Sequence, residues 1–123
     1  MPAVLVIDDE PMIRELLKLH LQKDGCEVRC AADPAEGLRA VIESPPDLIL
    51  LDVHMPYMSG LEVLKVIKSD PQSRHIPVVM LTSSTDDETW LAATQAGAEA
   101  YLTKPVAREE LIRTLQRWLP KAG

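Results

Sequence analysis

Ala3-Val4-Leu5-Val6-Ile7 is an unbroken apolar run that ends on Asp8-Asp9, and this pattern decides how the chain folds. The pattern returns three times. Leu48-Ile49-Leu50-Leu51 ends on Asp52, Ile76-Pro77-Val78-Val79-Met80-Leu81 ends on Thr82, and Ala98-Glu99-Ala100-Tyr101-Leu102 ends on Thr103-Lys104. Short apolar runs of this kind, separated by segments of helical period, read as strands of a parallel sheet buried on both faces. If the four point the same way, their C-terminal ends share one edge. That edge then carries Asp8, Asp9, Asp52, Thr82 and Lys104. In open α/β sheets the ligand crevice lies at this edge.

Helical segments fill the spaces between the runs. Ile13, Leu16, Leu17 and Leu21 share one face of a first helix from about Pro11 to Lys23, and His20 falls on that face as a core or boundary residue. Cys26 to Ala31 reads as a further strand. Asp33 before Pro34, with Glu36 three residues on, predicts an N-cap with proline in the first turn. That helix should run to about Glu43 and stop at Ser44-Pro45-Pro46. Ser59-Gly60-Leu61-Glu62 reads as a capping box for a helix to about Ser69, and Thr85-Asp86-Asp87-Glu88 as another for a helix to about Ala96. Gly97 supplies its C-cap, and a last helix runs from about Ala107 to Leu119. The acids Asp86-Asp87-Glu88, like Asp33 and Glu62, are first-turn carboxylates favoured by the helix dipole.

Five β-α pairs with right-handed crossovers give an α/β, doubly wound, five-stranded parallel sheet with helices on both faces. The order 2-1-3-4-5 is expected, a pattern known for such sheets rather than a consequence of these residues. It sets strands one and three side by side at the switch point, where Asp8, Asp9 and Asp52 meet. The whole of residues 1–123 is expected to form this single domain, with no effector domain after it.

Composition narrows the function. The 123 residues suit one domain that buries roughly two-thirds of its unfolded surface. Aromatics are 3% with no Phe, so the core must be aliphatic and stacking on single-stranded bases is poorly served. The net charge of −6, without a Lys/Arg cluster, argues against direct nucleic-acid binding. The first apolar run is too short for a signal peptide or membrane span, so a cytoplasmic protein is expected. Cys26 and Cys30, four residues apart in an extended strand, would lie roughly 13 Å from each other. A disulfide needs about 7 Å or less, so both are read as reduced core thiols.

Three carboxylates at one edge repel each other, by about 4 kcal/mol for a pair 4 Å apart at an effective dielectric of 20. A divalent cation relieves this. An all-oxygen donor set that leaves room for waters favours Mg²⁺ over calcium, and the absence of Cys ligands argues against zinc. The metal leaves Lys104 and Thr82, expected on the opposite side, unexplained. An ammonium, a hydroxyl and a cation facing one carboxylate form a pocket for a phosphoryl group. Asp52, between the acidic pair and Lys104, is the candidate nucleophile that forms an aspartyl-phosphate. Aspartate at a strand end is commonly a turn former or cap. Five such residues at four successive strand ends point instead to function.

From about Val4 to Leu119 the chain resembles a response-regulator receiver domain of two-component signalling, the CheY-like family. The resemblance rests on Val6-Ile7-Asp8-Asp9-Glu10, Leu51-Asp52-Val53-His54-Met55-Pro56-Tyr57-Met58-Ser59-Gly60, Val79-Met80-Leu81-Thr82 and Tyr101-Leu102-Thr103-Lys104-Pro105. It implies that Asp52 accepts a phosphoryl group from a phosphohistidine on a sensor histidine kinase or histidine phosphotransfer protein. It implies Mg²⁺ held by Asp8, Asp9, Asp52 and the His54 backbone carbonyl, with Lys104 and Thr82 on the phosphoryl oxygens. Thr82 and Tyr101 would be the switch, and the Lys104–Pro105 bond cis. The output partner would meet the face of the fourth helix, fifth strand and fifth helix, near Trp90. Catalysis would be limited to self-catalysed phosphorylation and slow autodephosphorylation.

The chain departs from the family pattern at three places. Val106 stands where Phe is frequent, Ser83 follows the switch Thr where Ala or Gly is usual, and His54 lies two after the acceptor, at a position that influences phosphoryl lifetime. Three rivals remain. A phosphatase of the haloacid-dehalogenase type needs a second Asp where His54 stands. A flavodoxin-like FMN carrier needs a hydroxyl- and Gly-rich loop where Asp8-Asp9-Glu10-Pro11 would repel phosphate. A degenerate scaffold receiver usually lacks some of the site residues present here.

Overall fold

A continuous apolar strand has two faces, and successive residues alternate between them. In the computed structural model, which describes residues 1–83 and 86–120, this alternation sorts the core into two layers. The elements are β1 (Ala3–Ile7), α1 (Pro11–Lys23), β2 (Glu27–Ala31), α2 (Pro34–Glu43), β3 (Leu48–Asp52), α3 (Gly60–Ser69), β4 (Val78–Thr82), α4 (Asp87–Gln95), β5 (Ala100–Thr103) and α5 (Arg108–Trp118). Leu5, Ile7, Ile49, Leu51, Val78 and Met80 face α2, α3 and α4, meeting Val41, Val63, Leu64, Ile67 and Ala93. Val4, Val6, Leu48, Leu50, Val79, Leu81 and Leu102 face α1 and α5, meeting Leu17, Leu21, Leu111 and Leu115. Burying one such Leu or Ile side chain contributes about 1.5–3 kcal/mol.

The sheet is parallel throughout with the order β2-β1-β3-β4-β5, as expected. Leu51 lies beside Ile7, and Asp52 beside Leu81, so the ends of the three central strands fall at one level.

Most boundaries follow the local chemistry. Asp33 Oδ1 accepts the Glu36 N–H at 2.8 Å, and Ser59 Oγ accepts the Glu62 N–H at 3.3 Å. Gly97 adopts φ 104° after α4, where its missing side chain allows a left-handed turn.

Three readings are corrected. The α4 cap is Asp86, whose carboxylate accepts the Glu88 N–H at 3.0 Å; Thr85, the expected cap, lies outside the described residues. β2 starts at Glu27, because Cys26 gives its N–H to the Leu21 carbonyl in the turn after α1. Leu16 is 44% exposed, so the buried stripe of α1 is Leu17 and Leu21 with Ile13 beside it. Both cysteines are free. His20 is half-buried, its Nδ1 3.3 Å from the Arg108 guanidinium, a boundary residue as expected. Among the described residues no helix is long and apolar enough to cross a membrane.

Candidate functional site

The site lies at the C-terminal edge of β1, β3, β4 and β5. Backbone hydrogen bonds set each contributor. Asp8 continues β1 and gives its N–H to Ala31 O at 3.1 Å. Val53 N–H bonds Leu81 O at 2.9 Å and so ties the chain just past Asp52 to β4. Lys104 N–H bonds Thr82 O at 2.6 Å, which fixes where the lysine leaves β5. The Lys104–Pro105 peptide is cis, in line with the family resemblance.

One further contact closes the β3–α3 loop over the strand end. Gly60 N–H bonds Val53 O at 2.8 Å, and a Cβ on Gly60 would collide with the Asp52 carbonyl oxygen. Glycine is required there by proximity.

The side chains converge. One carboxylate oxygen from each of Asp8, Asp9, Glu10 and Asp52 lies within 4.8 Å of the others. Asp8 and Asp52 are buried, while Asp9 and Glu10 lie toward solvent. Lys104 was expected across the site from the acidic pair. Instead its ammonium bridges the cluster, 2.8 Å from Asp8 Oδ2, 3.1 Å from Glu10 Oε1 and 3.3 Å from Asp52 Oδ1. The covalent path explains this: tied over the end of β4 by its N–H bond to Thr82 O, the residue sends its four-carbon stem past β3 to the carboxylates at the end of β1.

The electrostatics are those of too many carboxylates for one cation. Burial and the Asp8 charge push the Asp52 carboxyl up to about 7, against the pull of Lys104 and the His54 N–H. Burial alone would lower the Lys104 ammonium's affinity for its proton. The carboxylates of Asp8, Asp52 and Glu10 outweigh that and hold it well above the usual lysine range. Asp8 Oδ2 is buried and makes no hydrogen bond of acceptable geometry, its charge answered by the Lys104 ammonium alone among the described residues. An underserved buried oxygen amid hard oxygen donors fits a divalent cation such as Mg²⁺.

The other predicted residues take distinct places. The His54 N–H bonds Asp52 Oδ1 at 3.3 Å, and its ring is exposed. Thr82 is fully buried at the end of β4. Two residues on from Met80 it falls on the same face of β4, and Tyr101 packs against the same core layer, so the two share the α3/α4 side of the sheet. Beside Tyr101 a hollow of about 420 Å³ is lined by Asp87, Trp90 and Thr103. The sequence reading missed Glu10. Its signal was weak: a third acid directly after the pair, on a residue otherwise read only as part of a motif.

This fold and this site define a class, and residues 4–116 match the response regulator receiver domain family: the chain belongs to it. Among solved structures, the chemotaxis protein CheY4 of Vibrio cholerae is 39% identical with a TM-score of 0.91, covering 97% of this chain and 99% of that one. The receiver domain of NtrX from Brucella abortus is 35% identical with a TM-score of 0.88, covering 94% and 97%. The transcriptional regulatory protein KdpE of Mycobacterium tuberculosis is 40% identical over 116 residues, 94% of this chain and 50% of KdpE. The chain spans about half the length of the curated relatives it matches. Receiver domains are regulatory modules of two-component signalling.

Proposed function

We propose that this chain is a phosphoryl-accepting switch in a two-component phosphorelay, with Asp52 as the acceptor. The observation that carries the reading is a buried carboxylate, Asp52, flanked by Asp8 and held 3.3 Å from the Lys104 ammonium. A carboxylate oxygen of Asp52 attacks phosphorus, and the bond to the imidazole nitrogen of a phosphohistidine donor breaks with its electron pair left on that nitrogen. The donor is a sensor histidine kinase or a histidine phosphotransfer protein. Lys104 offsets charge on the phosphoryl oxygens, and Thr82 donates its hydroxyl to one of them. Asp8, Asp9, Asp52 and the His54 backbone carbonyl would hold Mg²⁺. That ion supplies charge neutralisation at the phosphoryl oxygens.

Output follows from the other face. The phosphoryl group biases a pre-existing two-state equilibrium, with Thr82 and Tyr101 carrying the change to the α4–β5–α5 face. Trp90, half exposed there, is the partner-facing aromatic. Turnover is limited to self-phosphorylation and slow loss of the phosphoryl group. Action of this domain in the cytoplasm, with no direct contact of its own to nucleic acid or membrane, completes the reading.

The test is acetyl phosphate with Mg²⁺, followed by intact mass. The wild type should gain one phosphoryl group, and Asp52→Ala should gain none while keeping its fold by circular dichroism. Full labelling of Asp52→Ala would remove Asp52 as acceptor.

A further inference from the structure

Glu10 is the one member of the acidic cluster to which the proposed function gives no role. It holds Lys104 from the open side. Its carboxylate is 3.1 Å from the ammonium and its side chain 59% exposed, whereas Lys104 is 9% exposed. Its backbone is pinned, with the Glu10 N–H on Asp8 Oδ1 at 2.9 Å. The carboxylate therefore stays at the rim beside Asp8.

An ammonium has three protons to give and no more, and three carboxylates surround this one. A phosphoryl oxygen arriving on Asp52 needs a share of the same donor. Asp8 is buried and stays charged, so releasing it from Lys104 leaves a buried charge poorly answered, while Asp52 yields its place on the ammonium to phosphoryl oxygens that carry more charge than the carboxylate did. Glu10 can return to water at little cost. Of the three contacts it is the one built to be given up.

We propose that Glu10 is a positioning residue: it latches Lys104 at the mouth of the unphosphorylated site and competes with the phosphoryl oxygens for that ammonium. It thereby sets how readily the site takes a phosphoryl group. The inference rests on the reading of Asp52 as acceptor and Lys104 as phosphoryl ligand.

The test compares wild type, Glu10→Gln, Glu10→Asp, Lys104→Ala and the Glu10→Gln/Lys104→Ala double variant. Each is titrated with beryllofluoride, a phosphoryl mimic, at saturating Mg²⁺, and separately with Mg²⁺ alone, by tryptophan fluorescence. Glu10→Gln removes the charge; Glu10→Asp keeps it but falls one methylene short of Lys104. Both should half-saturate at about two- to fivefold lower mimic concentration, the scale of an ion pair exposed on one side. In the Lys104→Ala background Glu10→Gln should have no effect, since the coupling runs through the ammonium. Mg²⁺ binding by Glu10→Asp should stay within about twofold of wild type, because the charge is retained.

Wild-type mimic binding by both Glu10 variants overturns the latch. So does an effect of Gln without one of Asp, which would make Glu10 a source of field rather than a contact. Loss of Mg²⁺ binding in Glu10→Asp overturns it by making Glu10 a metal ligand. Wild-type mimic binding by Lys104→Ala is a different failure, that of the reading of Lys104 beneath the latch.

Discussion

Asp52 shows at the scale of one residue how a site works against stability. Its carboxyl ordinarily titrates near 3.8, and in the folded chain burial and Asp8 push it up to about 7. Between those values the folded state binds more protons than the unfolded state, so stability falls as pH rises. The cost is absent below about 4, grows through the interval and is complete above about 7. Lys104, held protonated well above its usual range, contributes evenly across that window. Asp52→Asn cannot ionise and escapes the cost. In urea unfolding with a chelator, its advantage over wild type should be larger at about pH 8 than at about pH 5. An advantage that does not change with pH would contradict the account. Tyr57 carries a second local cost. Its φ is 73° and its side chain is fully exposed. A left-handed conformation costs a non-glycine residue about 1–2 kcal/mol, and asparagine tolerates it better. Tyr57→Asn gives up no packing and should raise stability by about 0.5–1 kcal/mol, read as a higher thermal midpoint. A lower midpoint would show that the ring is held by something other than solvent.

At the scale of elements, the β3–α3 loop carries the placement of the acceptor. Its tie to β4 through Val53 and its closure through Gly60 leave no space for a methyl group against Asp52 O. Gly60→Ala should therefore cost about 3 kcal/mol in urea unfolding, a steric clash against backbone that flexible side chains cannot absorb. It should also move the His54 amide resonance, because the His54 N–H bond to Asp52 is set by the same loop. Unchanged stability would mean the loop relaxes freely. Elements were also the level at which sequence spoke most clearly. Caps and strands are local: Asp33 with Glu36, and Ser59 with Glu62, are written three residues apart, and the apolar runs declare burial on both faces. The misplaced features depend on what packs from elsewhere. Leu16 satisfies the helical period of α1, yet the α1/α5 core layer takes Leu17 and Leu21 and leaves Leu16 half in water. The bridging of Asp8, Glu10 and Asp52 by Lys104 joins residues up to 96 positions apart, and only the register of β5 against β4 decides where that stem reaches. Lys68 is a similar case. It donates to the Ile76 carbonyl and to Glu99, whose carboxylate accepts the Val78 N–H, tying α3 to the start of β4 and β5. A lysine in the last turn of an ordinary helix gives no sign of this.

For the molecule as a whole, the net charge of −6 is unevenly spent. Among the described residues, four carboxylates gather at one edge with a single ammonium among them. Folding creates that gathering, since β1, β3 and β5 bring their ends together only in the native sheet. A cation that binds the gathering binds the folded chain alone, and so raises its stability by RT ln(1 + [L]/Kd). On the proposed reading of the site, Mg²⁺ at ten times its dissociation constant should add about 1.4 kcal/mol. Thermal melts at constant ionic strength, with Mg²⁺ replacing sodium, should show the midpoint climbing with log concentration. Asp9→Ala should begin more stable than wild type without Mg²⁺, because one repelling charge is gone from the native edge, and should gain little when Mg²⁺ is added. The two responses separate specific binding from general screening. Screening relieves repulsion in both proteins and would raise both midpoints together, whereas a held ion raises only the protein that keeps its ligands. Parallel rises in wild type and Asp9→Ala would remove the metal from this edge and leave Lys104 as its counter-charge among the described residues.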